Sequence, residues 1–256
     1  MTYELARKLE EARDIFKKIN SDTQSVKYYQ GIIAAYFSDY EESKGLFKRA
    51  IELNTTEDLT KKAQNFLNAY KEADFNQGAP KAHTKTLLAR SSNQTGEYQM
   101  AIALLFDVIK EQKNYRDAWI LMGYAYMNIE KYQDAIEALE QAKKLDPQKA
   151  ETLFFLGLSY YGKNDLKQAA TALEMAKSNG FQPVIQVEQK LAEIYLDLKQ
   201  YDKSAKNYEK VVTLNDSNIN YYIRPMWLYI EKLNQPENAL KLAEKAMATV
   251  QVAAHE

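Results

Sequence analysis

Chemistry in a folded chain needs particular side chains at reachable spacing, and this sequence holds few of them. It has two histidines, His83 and His255, far apart along the chain. Neither has a second His, Asp or Glu three or four residues away, whereas zinc sites take several such ligands. Paired carboxylates, which serve general acid–base work, occur at Glu10-Glu11 and Glu41-Glu42. Both pairs fall on expected helix surfaces, where solvated charge is the expected role. No Gly-rich phosphate loop and no nucleophile elbow of the Gly-x-Ser-x-Gly type is present. The absence of cysteine excludes disulfides, thiolate metal sites and a Cys nucleophile. The expectation is a non-enzyme with no metal and no cofactor.

Charge narrows the partner. Thirty-four Lys+Arg stand against thirty-five Asp+Glu, a net charge of −1. Nucleic-acid binders need clustered cations, and no segment carries a basic run, so no nucleic-acid partner is expected. No stretch of about 18 apolar residues exists to cross a bilayer. The start, Met1-Thr2-Tyr3-Glu4-Leu5, lacks a basic segment followed by an apolar core and is not read as a signal peptide. It reads as the inside of a helix, which leaves open a cytoplasmic chain or an extracytoplasmic one whose signal or anchor lies upstream.

The elements that would position any site are helices. Eight Gly and five Pro leave little material for tight β-turns, and Ala, Leu, Lys, Glu and Gln are strong helix formers. A chain of 256 residues exceeds an ordinary domain of roughly 100–150 residues. Repeats escape that limit because each buries its apolar face only on its neighbours. The repetition is visible. Trp119, Met122, Gly123, Tyr126, Tyr132, Ala135, Leu139, Ala142 and Pro147 are followed by Leu153, Leu156, Gly157, Tyr160, Leu166, Ala169, Leu173 and Ala176. Gly123 and Gly157 are 34 residues apart, as are Ala135 and Ala169. Small residues at Gly123, Ala135 and Ala142 suit the crossing of two antiparallel helices, where larger ones would force the axes apart.

This period and these residue types resemble the tetratricopeptide repeat. The resemblance implies an all-α fold, a right-handed α-solenoid of antiparallel helix pairs with about fourteen helices and no sheet. Five copies are read at 82–115, 116–149, 150–183, 185–218 and 219–251, within a main array at 79–256. In the last copy Pro225 falls in mid-helix and predicts a kink or a broken first helix. Residues 1–78 hold one or two degenerate repeats, with Gly31, Ala34, Ser43, Phe47 and Ala50 in one copy. The register there exceeds one period by a helix placed at about Glu57 to Phe75, and Asn76-Gln77-Gly78-Ala79-Pro80 reads as a breaker.

In such arrays the unburied positions of each first helix line a concave groove. The resemblance places there Arg90 and Asn93, then Ile120, Tyr124, Met127 and Asn128. Phe154, Leu158 and Tyr161 follow, then Gln189 and Glu193, and finally Ile223 and Trp227. The basic clamp of the family's chaperone-tail binders is missing, since Ile120, Leu121, Tyr124, Phe154 and Leu158 stand at its middle positions. What remains is an apolar, aromatic stripe, either a docking groove for a peptide or helix or internal packing of a tightly wound array. The expected function is a non-catalytic adaptor for another protein or peptide, without direct membrane insertion. The alternative is an interaction module of a bacterial envelope-assembly or secretion complex, cut from a longer anchored or enzymatic protein. A monomer is expected. The polar helix from Thr2 to Ile19 can cap the N-terminal edge, the place where weak self-association would otherwise occur.

Overall fold

The computed structural model describes residues 2–19, 21–75 and 81–253. Among them are fourteen α-helices, one π-helical turn and no strand. No helix is long and apolar enough to cross a membrane among the described residues. The chain divides into two compact units, residues 1–145 and 146–256. The expected breaker at Asn76–Pro80 and His255 lie outside the described residues.

The first unit contains α1 (Thr2–Lys18), α2 (Gln24–Tyr36), α3 (Tyr40–Leu53) and α4 (Glu57–Phe75). It continues with α5 (Lys81–Thr95), α6 (Tyr98–Glu111), α7 (Arg116–Asn128) and α8 (Tyr132–Leu145). Helices α2–α3, α5–α6 and α7–α8 pack as pairs, while α4 stands alone and touches both α3 and α5. The second unit pairs α9 (Ala150–Gly162) with α10 (Leu166–Ser178), and α11 (Val184–Asp197) with α12 (Tyr201–Leu214). Its last pair is α13 (Asn220–Trp227), which runs on as the π-turn Leu228–Lys232, with α14 (Pro236–Ala253).

Each pair from α5 onward closes on the same device. The turn between its helices passes through one left-handed residue: Gly96 (φ 84°), Glu130 (59°), Asn164 (64°), Lys199 (58°) and Asn234 (52°). These recur every 34 or 35 residues. The next amide then reaches back to the carbonyl of the repeat tyrosine: Lys131 to Tyr126 at 2.9 Å, Asp165 to Tyr160 and Gln200 to Tyr195 at 2.8 Å. This closure satisfies carbonyls that a helix end would leave bare.

The crossings are set by a small residue facing a large one sixteen positions on: Gly31 and Phe47, Gly123 and Leu139, Gly157 and Leu173. A Cβ added at Gly123 would stand 2.4 Å from Leu139 Cγ, and one at Gly157 would stand 2.5 Å from Leu173 Cγ. Helix axes therefore approach to a distance that only a bare backbone allows. Two crossings carry a further tie, because Ser43 Oγ donates to the Gly31 carbonyl and Ser204 Oγ to the Ala192 carbonyl, both at 2.8 Å.

Two side chains explain where the extra helix sits. Tyr70 of α4 donates its hydroxyl to Ser43 Oγ at 2.9 Å. Buried Gln24 at the start of α2 donates to the Thr56 carbonyl (3.1 Å) and to Thr60 Oγ1 (2.8 Å), while its oxygen accepts from the Thr56 amide (2.7 Å). The interruption expected in the last pair is present but displaced. Proline at 225 removes one amide donor from α13, yet the helix runs through it to Trp227 and then widens, with the Leu233 amide on the Leu228 carbonyl at 3.0 Å.

Candidate partner-binding surface

The residues expected to line a groove divide between the two units. In the first unit Ile120 is 4% exposed and belongs to the interior. Tyr124 is half-buried edge-on to Tyr98, their ring centroids 6.4 Å apart. Met127 is half-buried against the core. Asn128 is exposed and donates to the Tyr124 carbonyl at 2.8 Å. Arg90 is exposed, 3.7 Å from Glu72, and buried Asn93 donates to the Leu121 carbonyl at 3.0 Å.

The second unit brings more together. Phe154 is 7% exposed and stacks on Phe181 at 4.0 Å, so like Ile120 it fills its own fold and offers no surface. Phe181 sits in the longer turn before α11, the place where the repeat spacing grows from 34 to 35 residues, and that turn supplies the covering ring. Leu158, Gln189 and Glu193 are half-buried. Around Tyr161 the first helices converge. Its hydroxyl donates to Asp197 Oδ2 at 3.3 Å, and the Lys190 ammonium lies 4.7 Å over its ring while pairing with Glu193. Trp227, half-buried, has Arg224 at 5.9 Å and Lys232 at 5.1 Å over its ring, and Ile223 beside it is 57% exposed. Tyr208 of α12 joins the same neighbourhood. Burial raises its phenol pKa, Glu193 and Asp197 add to the rise, and Arg224 opposes it. The Tyr161 phenol is raised likewise, by burial first and then by the Asp197 charge.

Sequence reasoning passed over Lys190, Asp197, Tyr208 and Arg224. A signal for the first two was present, since 190, 193 and 197 fall on one helix face. The surface is aromatic at its centre with both signs of charge around it, a composition suited to holding a peptide's side chains and backbone. The residues weighed for catalysis lie elsewhere. His83 is in α5, while Glu11 and Glu41 sit on exposed faces in ion pairs with Arg7 and Lys44.

Sequence profiles of the tetratricopeptide repeat match residues 120–183 and 189–218. Tetratricopeptide repeat protein 21B of Homo sapiens is 26% identical over 162 residues, covering 59% of this chain and 12% of that protein. The peroxisomal targeting signal receptor of Saccharomyces cerevisiae is 32% identical over 117 residues, 45% of this chain and 17% of the receptor. A TPR repeat-containing protein of Methanocaldococcus jannaschii is 25% identical over 254 residues, 88% of this chain and 42% of that one. The chain thus spans less than half the length of each relative. Among solved structures, MamA aligns with a TM-score of 0.60 at 24% identity, over 68% of this chain and 94% of its own. YrrB, a TPR protein with an unusual peptide-binding site, aligns at 0.57 and 16% identity, over 71% and 91%. Both likenesses are of fold.

Proposed function

The chain belongs to the tetratricopeptide repeat family, and from that membership we propose that it is a non-catalytic adaptor, holding a peptide or helix of a partner protein on its first-helix faces. The observation that carries this lies in the second unit, where Tyr161 of α9 contacts Lys190 and Asp197 of α11, Tyr208 of α12 senses Glu193, Asp197 and Arg224, and Ile223 and Trp227 of α13 stand on partly open surface. Half-buried aromatics flanked by charge are the usual anchors of binding energy. That one relative is a targeting signal receptor supports a peptide ligand. Ile120 and Phe154 take part from behind, each holding the first helices of its own unit in place, and Tyr124, Met127 and Asn128 give the first unit a partly open surface of its own.

The test places a photo-crosslinking amino acid at the exposed Ile223 and, as a control, at Lys61 on α4. A partner should be trapped from position 223 and not from 61. Against that purified partner, Tyr161→Ala with Trp227→Ala should weaken binding by at least about tenfold, the loss of one hot spot, with helical circular dichroism unchanged. A partner whose affinity ignores the double substitution refutes the assignment.

A further inference from the structure

In the first unit, α6, α7 and α8 line a groove of about 620 Å³. Ile109, Met122, Tyr126 and Ala138 form its buried apolar floor, and half-buried Phe106 and Trp119 line its walls. This groove departs from a hydrogen-bonding habit seen elsewhere in the chain. In the second unit two repeat tyrosines give their hydroxyls to a glutamate of the preceding second helix: Tyr195 to Glu174 Oε1 at 3.3 Å, Tyr229 to Glu209 Oε1 at 2.9 Å. Two repeats before Glu174, 68 residues upstream, the same position holds Phe106. The Tyr126 hydroxyl therefore lacks that acceptor and has no hydrogen bond among the described residues. The corresponding groove beside α10 and α12 has Ala170, Met175, Tyr195 and Leu198 in its lining but mixes them with Lys167, Thr171, Glu174 and Gln200.

The rim is charged unevenly. Lys110, Lys113 and Lys144 gather where α6 and α8 end and α7 begins, and none is in an ion pair among the described residues. Asp134 and Glu137 stand at the other end, beside Tyr126. From residue 134 to 144 along α8 is about 15 Å at the helical rise. The walls are helices whose backbones are already bonded, so an extended strand would find no backbone partners here. A helix brings its own.

We propose that this groove is a second docking site, for a helical segment of a partner protein about ten residues long. The segment seats an aromatic or large aliphatic side chain between Phe106 and Trp119, within reach of the Tyr126 hydroxyl. Its carboxylates lie toward Lys110, Lys113 and Lys144, and its cations toward Asp134 and Glu137. The site is separate from the first-helix surface and stands without it.

A fluorescein-labelled peptide of about twelve residues tests this: two glutamates in its first turn, Phe and Leu four residues apart in the middle, two lysines in its last turn. Fluorescence anisotropy with the full chain should show saturable binding. Phe106→Glu, which restores the missing acceptor and charges the wall, should weaken it at least about tenfold, as should the exposed double reversal Lys110→Glu with Lys144→Glu. Tyr161→Ala with Trp227→Ala should leave it unchanged. The proposal is overturned by no saturation at about 1 mM protein, or by equal binding to the lysine reversal. It is overturned equally by loss of binding only in the Tyr161/Trp227 variant, or by a wild-type dimer that Phe106→Glu dissociates, which would make a second copy the occupant.

Discussion

Gly157→Val is expected to lower the unfolding free energy by about 2–3 kcal/mol in urea titration followed by circular dichroism, near the upper end of what overpacking costs. The first added carbon already collides, since it would sit 2.5 Å from Leu173 Cγ, 2.8 Å from Cδ2 and 3.3 Å from the Ala169 carbonyl oxygen. Cγ is the branch point of a fully buried leucine, so the clash is relieved only by turning the whole side chain or parting α9 from α10. Gly123→Val against Leu139 should behave alike, because that crossing has the same geometry one repeat earlier. Gly45→Ala supplies the contrast. Gly45 lies exposed within α3 with open space around it, and there alanine should add up to about 1 kcal/mol through helix propensity alone. Equal effects at positions 45 and 157 would mean that the crossings are not as close as described.

Those glycines also show what a reader of the sequence could see. Period, helix pairing and crossing positions were legible because they follow from a local rule repeated every 34 residues. The helix at Glu57–Phe75 was legible as a surplus in register. The binding surface was less so. Position within a repeat says that a residue points away from its own pair, and it does not say what the neighbouring turn lays over it. Phe154 is covered by Phe181, and nothing in the 34-residue pattern encodes a ring in a lengthened turn. The π-turn after Trp227 escaped for a similar reason: proline marks where a donor is lost, while the widening falls at the next place the backbone can absorb it. The groove of α6, α7 and α8 was visible in principle as Phe106 standing where Glu174 and Glu209 stand, but its meaning depends on knowing which tyrosines those carboxylates bind.

The degenerate N-terminal part is the place where packing substitutes for repeat order, and Phe47→Ala should expose this with a loss of about 3–5 kcal/mol. Phe47 is fully buried, stacks on Phe66 of α4 at 4.7 Å with planes 9° apart, and lies 5.8 Å from Tyr28 of α2. Its ring also fills the space beside Gly31, so a single side chain ties the ordinary pair α2–α3 to the helix that has no partner of its own. Truncation opens a cavity at the junction of three helices, and α4 loses the stacking that fixes its roll. Since stability in a repeat array is largely a sum of neighbour terms, the loss should be local. Amide exchange should accelerate across α2, α3 and α4 and stay unchanged in α9 to α12. Phe47→Leu, which keeps most of the volume while removing the stacked ring, should recover more than half of the protection. Uniform acceleration through the whole chain would show instead that the two units unfold as one body and that this aromatic junction is not a separate source of stability.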